Sequence, residues 1–294
     1  MPELPEVEIV ARGLAKRLVD QTVINVQVSN QKSFLADAAD IQKHLIRARV
    51  LSVRRRQKLI LIELSNGWML VIHLKMTGQL IFLSSKKSFV GGHPEKVYTQ
   101  SLPNKHTHVV INFSHGILYF NDLRKFGWMR LFTRRKETDS RHRSIEEFLQ
   151  ALMLGPEPLE GDFTVQWLKD RLQKRQIPIK QALMDQKIAA GVGNIYADEA
   201  LFRAGIQPER LAKSLKIQEI AKLHRTIRDV LRLGIIRGGT SVNTYLNSEG
   251  TPGKMQAYLK VYGRRGQRCF KCKHLIKRIR IGQRSTHFCP VCQK

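Results

Sequence analysis

The sequence has no long hydrophobic run, and its first residues are not an apolar segment. No stretch of about 18 consecutive apolar residues, the length that a membrane-spanning helix needs, occurs in the 294 residues. We also find no basic amphipathic helix of the type that lies on membranes. The first residues, MPELPEVE, are acidic and lack the apolar core of a secretory signal. We therefore expect a protein without membrane attachment that stays in a reducing cytoplasm.

Acidic residues are scarce. The chain has 24 Asp and Glu against 51 Lys and Arg, a net charge of +27. Such a surplus destabilises a compact fold through self-repulsion unless a polyanion binds to it. Because membrane attachment is not expected, nucleic acid is the polyanion that this composition favours. The length is sufficient for two or three domains.

Cysteine is scarcer still, and all four cysteines follow residue 268. Two disulfides are the alternative interpretation, but they are rare in proteins without a secretory signal. The spacing, two CxxC pairs separated by 16 residues, is that of a structural zinc site with four thiolate ligands. From residue 264 onward there is no acidic residue, which suits a hairpin that enters a DNA groove. A purely structural ribbon with a solvated basic face is the alternative. The sequence predicts one structural Zn²⁺ bound by Cys269, Cys272, Cys289 and Cys292.

Hydrophobic periodicity divides the chain into a β-rich part and a helical part. Apolar residues at helical spacing predict an amphipathic helix over residues 4 to 18. Short β-rich runs follow to about residue 134 and predict a β-sandwich or barrel. Helical periods recur between 145 and 236, and two short runs between the cysteine pairs predict a hairpin that turns near Gly282. We expect an α+β fold with several domains.

The amino terminus offers a nucleophile. Removal of Met1 would leave the secondary amine of Pro2 as the first group of the chain. Such an amine can attack an anomeric carbon, expel a base and form an iminium ion. Glu3 and Glu6 could donate and accept protons beside it. On these residues alone the simpler interpretation is favoured, that Pro5 and the two glutamates start a helix and complement its dipole.

Three motifs together carry a resemblance to a known family. They are the start PELPEVE, the run GVGNIYADEAL at 191 to 201, and the CxxC pair that follows VYGRRG at 261 to 266. With these motifs the chain resembles, over nearly its whole length, the bacterial formamidopyrimidine-DNA glycosylases, also called Fpg or MutM. The resemblance implies an amino-terminal helix with a β-sandwich, a helix-two-turn-helix domain and a zinc ribbon, with DNA held in the cleft between the domains. We place the catalytic domain at 1 to 134, a linker at 135 to 144, the helix-two-turn-helix domain at 145 to 258 and the ribbon at 259 to 294.

The resemblance also implies roles for individual residues. Pro2 is the nucleophile, Glu3 is the acid that opens the deoxyribose ring, and Glu6 organises the site. Lys58 corresponds to the family lysine near the lesion and its phosphates, with a solvated strand lysine as the less favoured alternative. The implied phosphate contacts are His73, Asn194, Tyr262 and Arg284.

Three further residues correspond to the family's wedge, which replaces the base that leaves the stack. Met76 fills the hole, Phe126 is pushed between base pairs, and Arg124 hydrogen-bonds the orphaned partner base, here cytosine. Without the resemblance, Phe126 would be interpreted as a core residue and Met76 as a gap filler.

Some segments depart from the family pattern or are less informative. Leu123 stands where proline is common and Thr107 where aspartate is frequent, which affects local geometry rather than chemistry. Residues 84 to 107 are polar with several turn residues and predict a long surface loop. Residues 238 to 254 correspond to the loop that closes over the oxidised purine, although a glycine-rich stretch can also be a plain linker.

The function that we expect is a monomeric, nucleoid-associated DNA glycosylase and lyase. It would remove 8-oxoguanine and formamidopyrimidines from duplex DNA and also act on abasic sites. An enzyme of the endonuclease VIII type, specific for oxidised pyrimidines, is one alternative. A zinc-ribbon protein that binds damaged DNA without catalysis is the other.

Overall fold

The computed structural model describes residues 1 to 85, 88 to 92, 101 to 134, 144 to 240 and 253 to 294. The chain forms two units. The first comprises Met1–Leu152 and Arg237–Lys254, and the second comprises Met153–Ile236 and Met255–Lys294. The predicted linker, apart from its last residue, and most of the predicted closing loop lie outside the described residues. The predicted domain boundaries stay predictions.

The first unit contains a β-sandwich of two antiparallel sheets. Its strands within the described residues are β1 Val23–Val28, β2 Val50–Arg56, β3 Leu59–Leu64, β4 Trp68–His73, β5 Gly78–Leu83, β6 Ser88–Gly92, β7 Thr107–Phe113, β8 Gly116–Asp122 and β9 Trp128–Thr133. One sheet has the order β1-β7-β8-β5-β6 and the other β2-β3-β4-β9. Alternating apolar residues from both sheets, such as Phe82, Phe120, Ile62 and Ile72, meet in one buried core. The β-rich runs in the sequence are therefore confirmed as a sandwich.

Helix α1, Leu4–Leu18, closes this core at the sheet edges. It packs against β2 and β6, which are edge strands of the two sheets. Val10 and Leu14 on its apolar face are fully buried. The amphipathic helix predicted from the sequence is confirmed with the same bounds.

The predicted loop over residues 84 to 107 is wrong near its start. Residues 88 to 92 form β6, which pairs with β5. Phe89 is buried in the sandwich core. The polar residues around Phe89 give no sign of this burial in the sequence. Gly91 and Gly92 are required for close approach: an added Cβ would lie 2.6 Å from the Phe89 ring and 2.5 Å from the Gly78 carbonyl oxygen, respectively. Residues 86, 87 and 93 to 100 lie outside the described part.

The first unit also contains two short α-helices, α2 at Ala38–His44 and α3 at Ile145–Ala151. The Ser144 hydroxyl accepts the Glu147 N–H at 3.1 Å and the Glu147 carboxylate accepts the Ser144 N–H at 3.2 Å, a reciprocal cap that starts α3. Phe148 then packs in a cluster with Phe132 and other residues of the β2-β3-β4-β9 sheet.

The second unit consists of helices and a terminal hairpin. Its elements are α4 Val165–Leu172, α5 Ile179–Met184, α6 Asn194–Ala204, α7 Ile217–Ile236, β10 Lys277–Ile281 and β11 Arg284–Phe288. Helix α6 is buried along nearly its whole length and ends at Gly205, whose φ of +79° suits a left-handed cap. The α+β fold class with a helical part and a cysteine-bearing hairpin is confirmed. Among the described residues, no helix combines the length and apolar character needed to cross a membrane.

Candidate functional site

The amino terminus lies against the start of α1 and is largely buried. Pro2 is buried, and the exposed fractions of Glu3 and Glu6 are only 4% and 2%. The Glu6 carboxylate accepts the backbone N–H of Glu3 at 2.9 Å. The two glutamates therefore have the helix-start role that the sequence favours. The same helix start places two buried carboxyl groups within four residues of the predicted nucleophile.

Glu6 also binds a segment far away in the sequence. Its second carboxylate oxygen accepts the backbone N–H of Thr240 at 3.0 Å and the Thr240 hydroxyl at 3.1 Å. One carboxylate thus connects the amino-terminal backbone to a residue at the edge of the glycine-rich stretch. Sequence reasoning assigned Glu6 to the site but missed Thr240, because no local pattern links positions so far apart.

The turn between β2 and β3 buries a lysine. Lys58 is 8% exposed, so the alternative of a solvated strand lysine is wrong. The turn is held by Arg55, which donates to the Gln57 carbonyl oxygen at 3.2 Å and to the Glu8 carboxylate at 2.7 Å. Arg55 and Arg12 lower the pKa of Glu8 although burial acts in the opposite direction. The pair of Arg55 and Glu8 attaches α1 to the turn that carries Lys58.

His73, at the end of β4, is held in the neutral state. Its Nδ1 accepts the backbone N–H of Lys75 at 2.9 Å, which leaves the proton on Nε2. Burial, followed by the nearby charges of Lys75 and Lys58, lowers the pKa of His73 to about 3. A neutral imidazole with a defined N–H donor can contact a phosphate oxygen without gaining or losing charge near neutral pH.

The three predicted wedge residues meet on the surface although they lie on two different turns. Arg124 Nη1 is 3.0 Å from Met76 Sδ, and its guanidinium carbon is 4.7 Å from the centre of the Phe126 ring. Met76 is 38% and Phe126 is 53% exposed, so the alternatives of a core ring and a gap filler are wrong. We call Met76, Arg124 and Phe126 the wedge cluster.

A buried carboxylate that sequence reasoning missed holds both turns of the wedge cluster. Asp122 accepts the N–H groups of Arg124 at 3.1 Å and Gly127 at 2.6 Å, and it also accepts the Thr77 hydroxyl. Thr77 follows Met76, and the other two partners flank Phe126. An Asp side chain at a turn commonly accepts the backbone N–H two residues further on, as Asp122 does from Arg124, so the Asp in NDLRKFG is a turn signal that could have identified it.

Of the two residues that depart from the family pattern, Thr107 is buried and Leu123 is exposed. The Thr107 hydroxyl donates to the Asn121 side-chain oxygen at 2.8 Å and accepts the Asn104 N–H at 2.9 Å. Leu123 is 46% exposed beside the wedge cluster in the sequence. Thr107 therefore closes the turn before β7 with its hydroxyl.

The four cysteines of the second unit come together. They are free thiols, which excludes the two disulfides, and their sulfur atoms all lie within 4.8 Å of one another. The Sγ atoms are 3.9 Å apart in Cys269 and Cys292, and 3.4 Å apart in Cys272 and Cys289. A tetrahedral zinc site with Zn–S bonds of about 2.3 Å needs sulfur separations of about 3.8 Å. The donor set therefore fits one zinc ion.

The three predicted phosphate contacts of this unit lie on neighbouring elements. Asn194 begins α6, and its amide nitrogen donates to the Ser285 carbonyl oxygen at 3.0 Å. Tyr262 packs its ring edge-on against His287, with centroids 5.0 Å apart. Arg284 is exposed at the start of β11, next to the Gly282 turn, where φ is +57°.

Two buried carboxylates of α6 position these elements, and sequence reasoning missed both. Glu199 accepts the backbone N–H groups of Lys260, Val261 and Tyr262 at 2.8 to 3.0 Å. Burial raises the pKa of Glu199, against the lowering effect of these donors. Asp198 forms an ion pair with the buried Lys180 and accepts the His287 N–H at 2.9 Å.

Comparisons with known proteins agree with this architecture. The formamidopyrimidine-DNA glycosylase N-terminal domain matches residues 1 to 129, and the H2TH domain of the same glycosylases matches residues 154 to 246. The formamidopyrimidine-DNA glycosylases of Desulfitobacterium hafniense (strain DSM 10664 / DCB-2) and Pectobacterium carotovorum subsp. carotovorum are 41% and 42% identical to the chain. Both alignments cover all of this chain and all of the relative. The chain belongs to the formamidopyrimidine-DNA glycosylase family. The predicted resemblance and the enzyme class of DNA glycosylases are thereby confirmed.

Solved structures of this glycosylase family are similar over the whole chain. A mutant of the Lactococcus lactis Fpg in complex with Fapy-dG-containing DNA is 34% identical, with a TM-score of 0.86 and full coverage of both chains. The Lactococcus lactis Fpg in complex with DNA containing an abasic site is 34% identical, with a TM-score of 0.85 and 99% coverage of both chains.

The zinc finger found in FPG and IleRS matches residues 266 to 294, which include all four cysteines. The cofactor of this glycosylase-family chain is one structural zinc ion, and the four clustered thiols are the donors available to hold it.

Proposed function

We propose that this protein is a bifunctional DNA glycosylase and lyase of base excision repair. It removes 8-oxoguanine and formamidopyrimidines from duplex DNA through a Schiff base on Pro2 and then cuts the strand by β,δ-elimination. The observation that carries the proposal is the buried pair of carboxyl groups, Glu3 and Glu6, directly beside Pro2 at the start of α1.

The chemistry begins at the Pro2 nitrogen. Once Met1 is removed, its lone pair forms a bond to C1′ of the damaged nucleoside while the bond from C1′ to the base breaks, and the base leaves with the amine proton. Glu3 then protonates O4′, the bond from C1′ to O4′ breaks, and the nitrogen lone pair forms the iminium ion. Loss of a C2′ proton expels the 3′ phosphate, and a further proton loss expels the 5′ phosphate. Water finally hydrolyses the link to Pro2.

Glu6 is a positioning residue in this scheme. It accepts hydrogen bonds from the backbone of Glu3 and from Thr240. Both contacts need an acceptor, so Glu6 acts as a fixed carboxylate that orients the amino-terminal backbone. A reacting amine gains most from such orientation, because near-attack geometry removes much of the entropic barrier.

The wedge cluster supplies access to the damaged base. An exposed ring and thioether side by side can replace a base that leaves the stack, and the guanidinium of Arg124 can hydrogen-bond the orphaned cytosine. Extrusion costs a few kcal/mol, less for a damaged or mismatched pair, so this step also selects the lesion. Lys58 and the neutral His73 in the first unit, and Asn194, Tyr262 and Arg284 in the second, are the phosphate contacts that we propose.

A reductive trapping experiment tests the Schiff base. Borohydride should cross-link the mature protein to abasic or lesion-bearing duplex DNA, and mass spectrometry should locate the adduct on Pro2. Pro5→Ala is the matched control, because it changes a proline of the same helix start and leaves the amine intact. A protein that retains Met1, or correctly processed protein that gives no adduct, would contradict the mechanism.

A second experiment tests the role of Glu3. Glu3→Gln should impair base excision more than cleavage of a preformed abasic site, since the ring of an abasic sugar already opens in solution. If both steps were impaired equally, Glu3 would not be the acid that opens the ring.

Oxidised pyrimidines are a second substrate class. One similar structure is a complex between the Lactococcus lactis Fpg and DNA that contains an oxidised pyrimidine, 33% identical with a TM-score of 0.85. Excision rates on 8-oxoguanine opposite cytosine and on thymine glycol separate the two specificities. A protein that binds damaged DNA without cutting it would show a steep salt dependence of binding and an intact strand.

The cellular location that we propose for this activity is the nucleoid, where duplex DNA is found in a bacterium. The net charge of +27 supports duplex DNA as the partner, since a polyanion offsets the self-repulsion of the chain.

A further inference from the structure

The hairpin β10–β11 carries an open basic recess of about 460 Å³. It lies within the second unit and does not include Arg284, the hairpin residue to which the family resemblance assigns a phosphate contact. The residues that line it are Arg265, Arg278, Ile279, Arg280, Gln283 and Ser285. We call it the arginine recess.

The register of the hairpin places the charged side chains of the recess close together. Because strand residues alternate in direction, Arg278 and Arg280 share one face of β10, while Lys277 points to the other. Arg280 is paired with Ser285 on β11. The guanidinium of Arg278 donates to the Ser285 hydroxyl from Nε at 3.1 Å and from Nη2 at 2.7 Å, which fixes its direction.

The arginines of the recess are not neutralised by the protein. Arg265, Arg278 and Arg280 are exposed, and none forms an ion pair with a carboxylate of the described residues. The sequence from residue 264 to the end contains no Asp or Glu. Three cations around one recess repel each other, and an anion in the recess would remove that cost.

The recess is built on a rigid support. The Ser285 carbonyl oxygen accepts the Asn194 amide at 3.0 Å, and the His287 N–H binds Asp198 at 2.9 Å, so β11 is attached to α6 at the recess and just beyond it. The cysteine cluster holds the hairpin ends. A site whose donors are held in place before binding loses little entropy when the ligand arrives.

We infer that the arginine recess binds a backbone phosphate of duplex DNA, in addition to the phosphate assigned to Arg284. Arginine forks match the oxygens of a phosphodiester in a bidentate manner, and the ordered serine hydroxyl can add a further donor. A recess open to solvent leaves room for a chain that continues in both directions, as a phosphodiester requires. This inference rests on the proposed function only in taking DNA as the ligand.

The test is the salt dependence of DNA binding by the zinc-loaded protein. The double variant Arg278→Gln/Arg280→Gln should reduce the slope of log Kd against log salt concentration by about 1, because each phosphate contact releases about 0.9 counterions. Binding should weaken equally for lesion-bearing and undamaged duplexes. Lys277→Gln is the matched control, since it removes one charge from the opposite face of the same strand and should leave a slope closer to that of the wild type. Equal slopes for the double variant and the wild type would overturn the inference.

Ethylation interference identifies the phosphate itself. With wild-type protein, ethylating the contacted phosphate should weaken binding, and with the double variant the same modification should lose its effect. An unchanged set of interfering phosphates would contradict the recess as a phosphate site. If the wild-type protein did not excise damaged bases, the proposed function would be refuted. The binding test on undamaged DNA would still show whether the arginine recess contacts a phosphate.

Discussion

The carboxylate of Asp122 lies 2.6 Å from the backbone nitrogen of Gly127, and this contact closes the turn that presents Arg124 and Phe126. The same side chain accepts the Thr77 hydroxyl from the turn that presents Met76. Asp122 is fully buried and has no exposed surface. A single carboxylate therefore holds in place two turns that come from different parts of the sandwich.

Asp122→Asn should loosen the wedge cluster. The amide has one acceptor oxygen instead of two and presents N–H donors to other N–H donors, so we expect a loss of about 3 kcal/mol in the free energy of unfolding. The rate of 8-oxoguanine excision from a duplex should fall more than the rate of cleavage of single-stranded abasic DNA. Cleavage of that second substrate needs no base extrusion. Asp229→Asn, at an exposed position of α7, is the control. Equal losses on both substrates would show that Asp122 does not act through the wedge.

The contact between Glu6 and Thr240 predicts a graded response. Thr240→Val removes only the hydroxyl donor and keeps the backbone N–H, so we expect a loss of about 1 kcal/mol in stability and a modest reduction in excision. Glu6→Gln disturbs the contacts with both Glu3 and Thr240. It should slow base excision by about 10- to 100-fold, since a small misplacement of a reacting group greatly lowers the reaction rate. Thr240→Ser should behave as the wild type in single-turnover assays. A Glu6→Gln enzyme with wild-type excision would contradict the positioning role.

His73 should remain neutral throughout the physiological range. Burial and the charges of Lys75 and Lys58 lower its pKa from 6.5 to about 3. Between those two values the unfolded chain binds a proton that the folded chain does not, so His73 contributes a loss of stability as the pH falls through this window. Its imidazole resonances in NMR spectra should not titrate between pH 8 and 5. A midpoint near 6.5 for His73 would contradict the buried geometry.

Glu199 should stabilise the segment that leads into the zinc ribbon. Glu199→Gln places an N–H donor opposite the N–H groups of Lys260 to Tyr262, so we expect a loss of about 2 to 3 kcal/mol in the stability of the second unit. Zinc should then be released faster to a chelator. Glu209→Gln, at an exposed position, serves as the control. Wild-type zinc release in Glu199→Gln would show that the ribbon does not depend on this carboxylate.

Zinc removal should unfold the ribbon and leave the first unit intact. The hairpin has a small core around Ile276 and the cysteines, too small to fold without the metal. The native protein should contain one zinc ion per chain by metal analysis, and Cys272→Ser should contain less than the wild type and bind duplex DNA more weakly. The far-ultraviolet signal of the β-sandwich should persist. Undiminished DNA binding by the zinc-free protein would contradict a role of the ribbon in binding.

Much of the fold was predictable because its signals are local. The period of α1, the apolar runs at Val23–Val28 and Leu59–Leu64, and the spacing of the cysteine pairs each depend on residues close together in the chain. Strand β6 was not predictable, since its burial depends on one phenylalanine and on glycines that fit against neighbouring strands. Glycines chosen for close approach have the same appearance in a sequence as glycines of a loop.

The chemistry of the individual residues was determined by the sequence alone: the thiols that suit zinc, the surplus of cations that suits a polyanion, and a proline amine with carboxyl groups beside it. The tertiary structure alone decided which of these groups meet. Met76 reaches Arg124 only because β5 pairs with β8, Glu6 reaches Thr240 across most of the chain, and the arginine recess depends on the register of β10 and β11. Such contacts depend on the pairing of strands and the closure of turns, and these are determined by the packing of the whole core rather than by neighbouring residues.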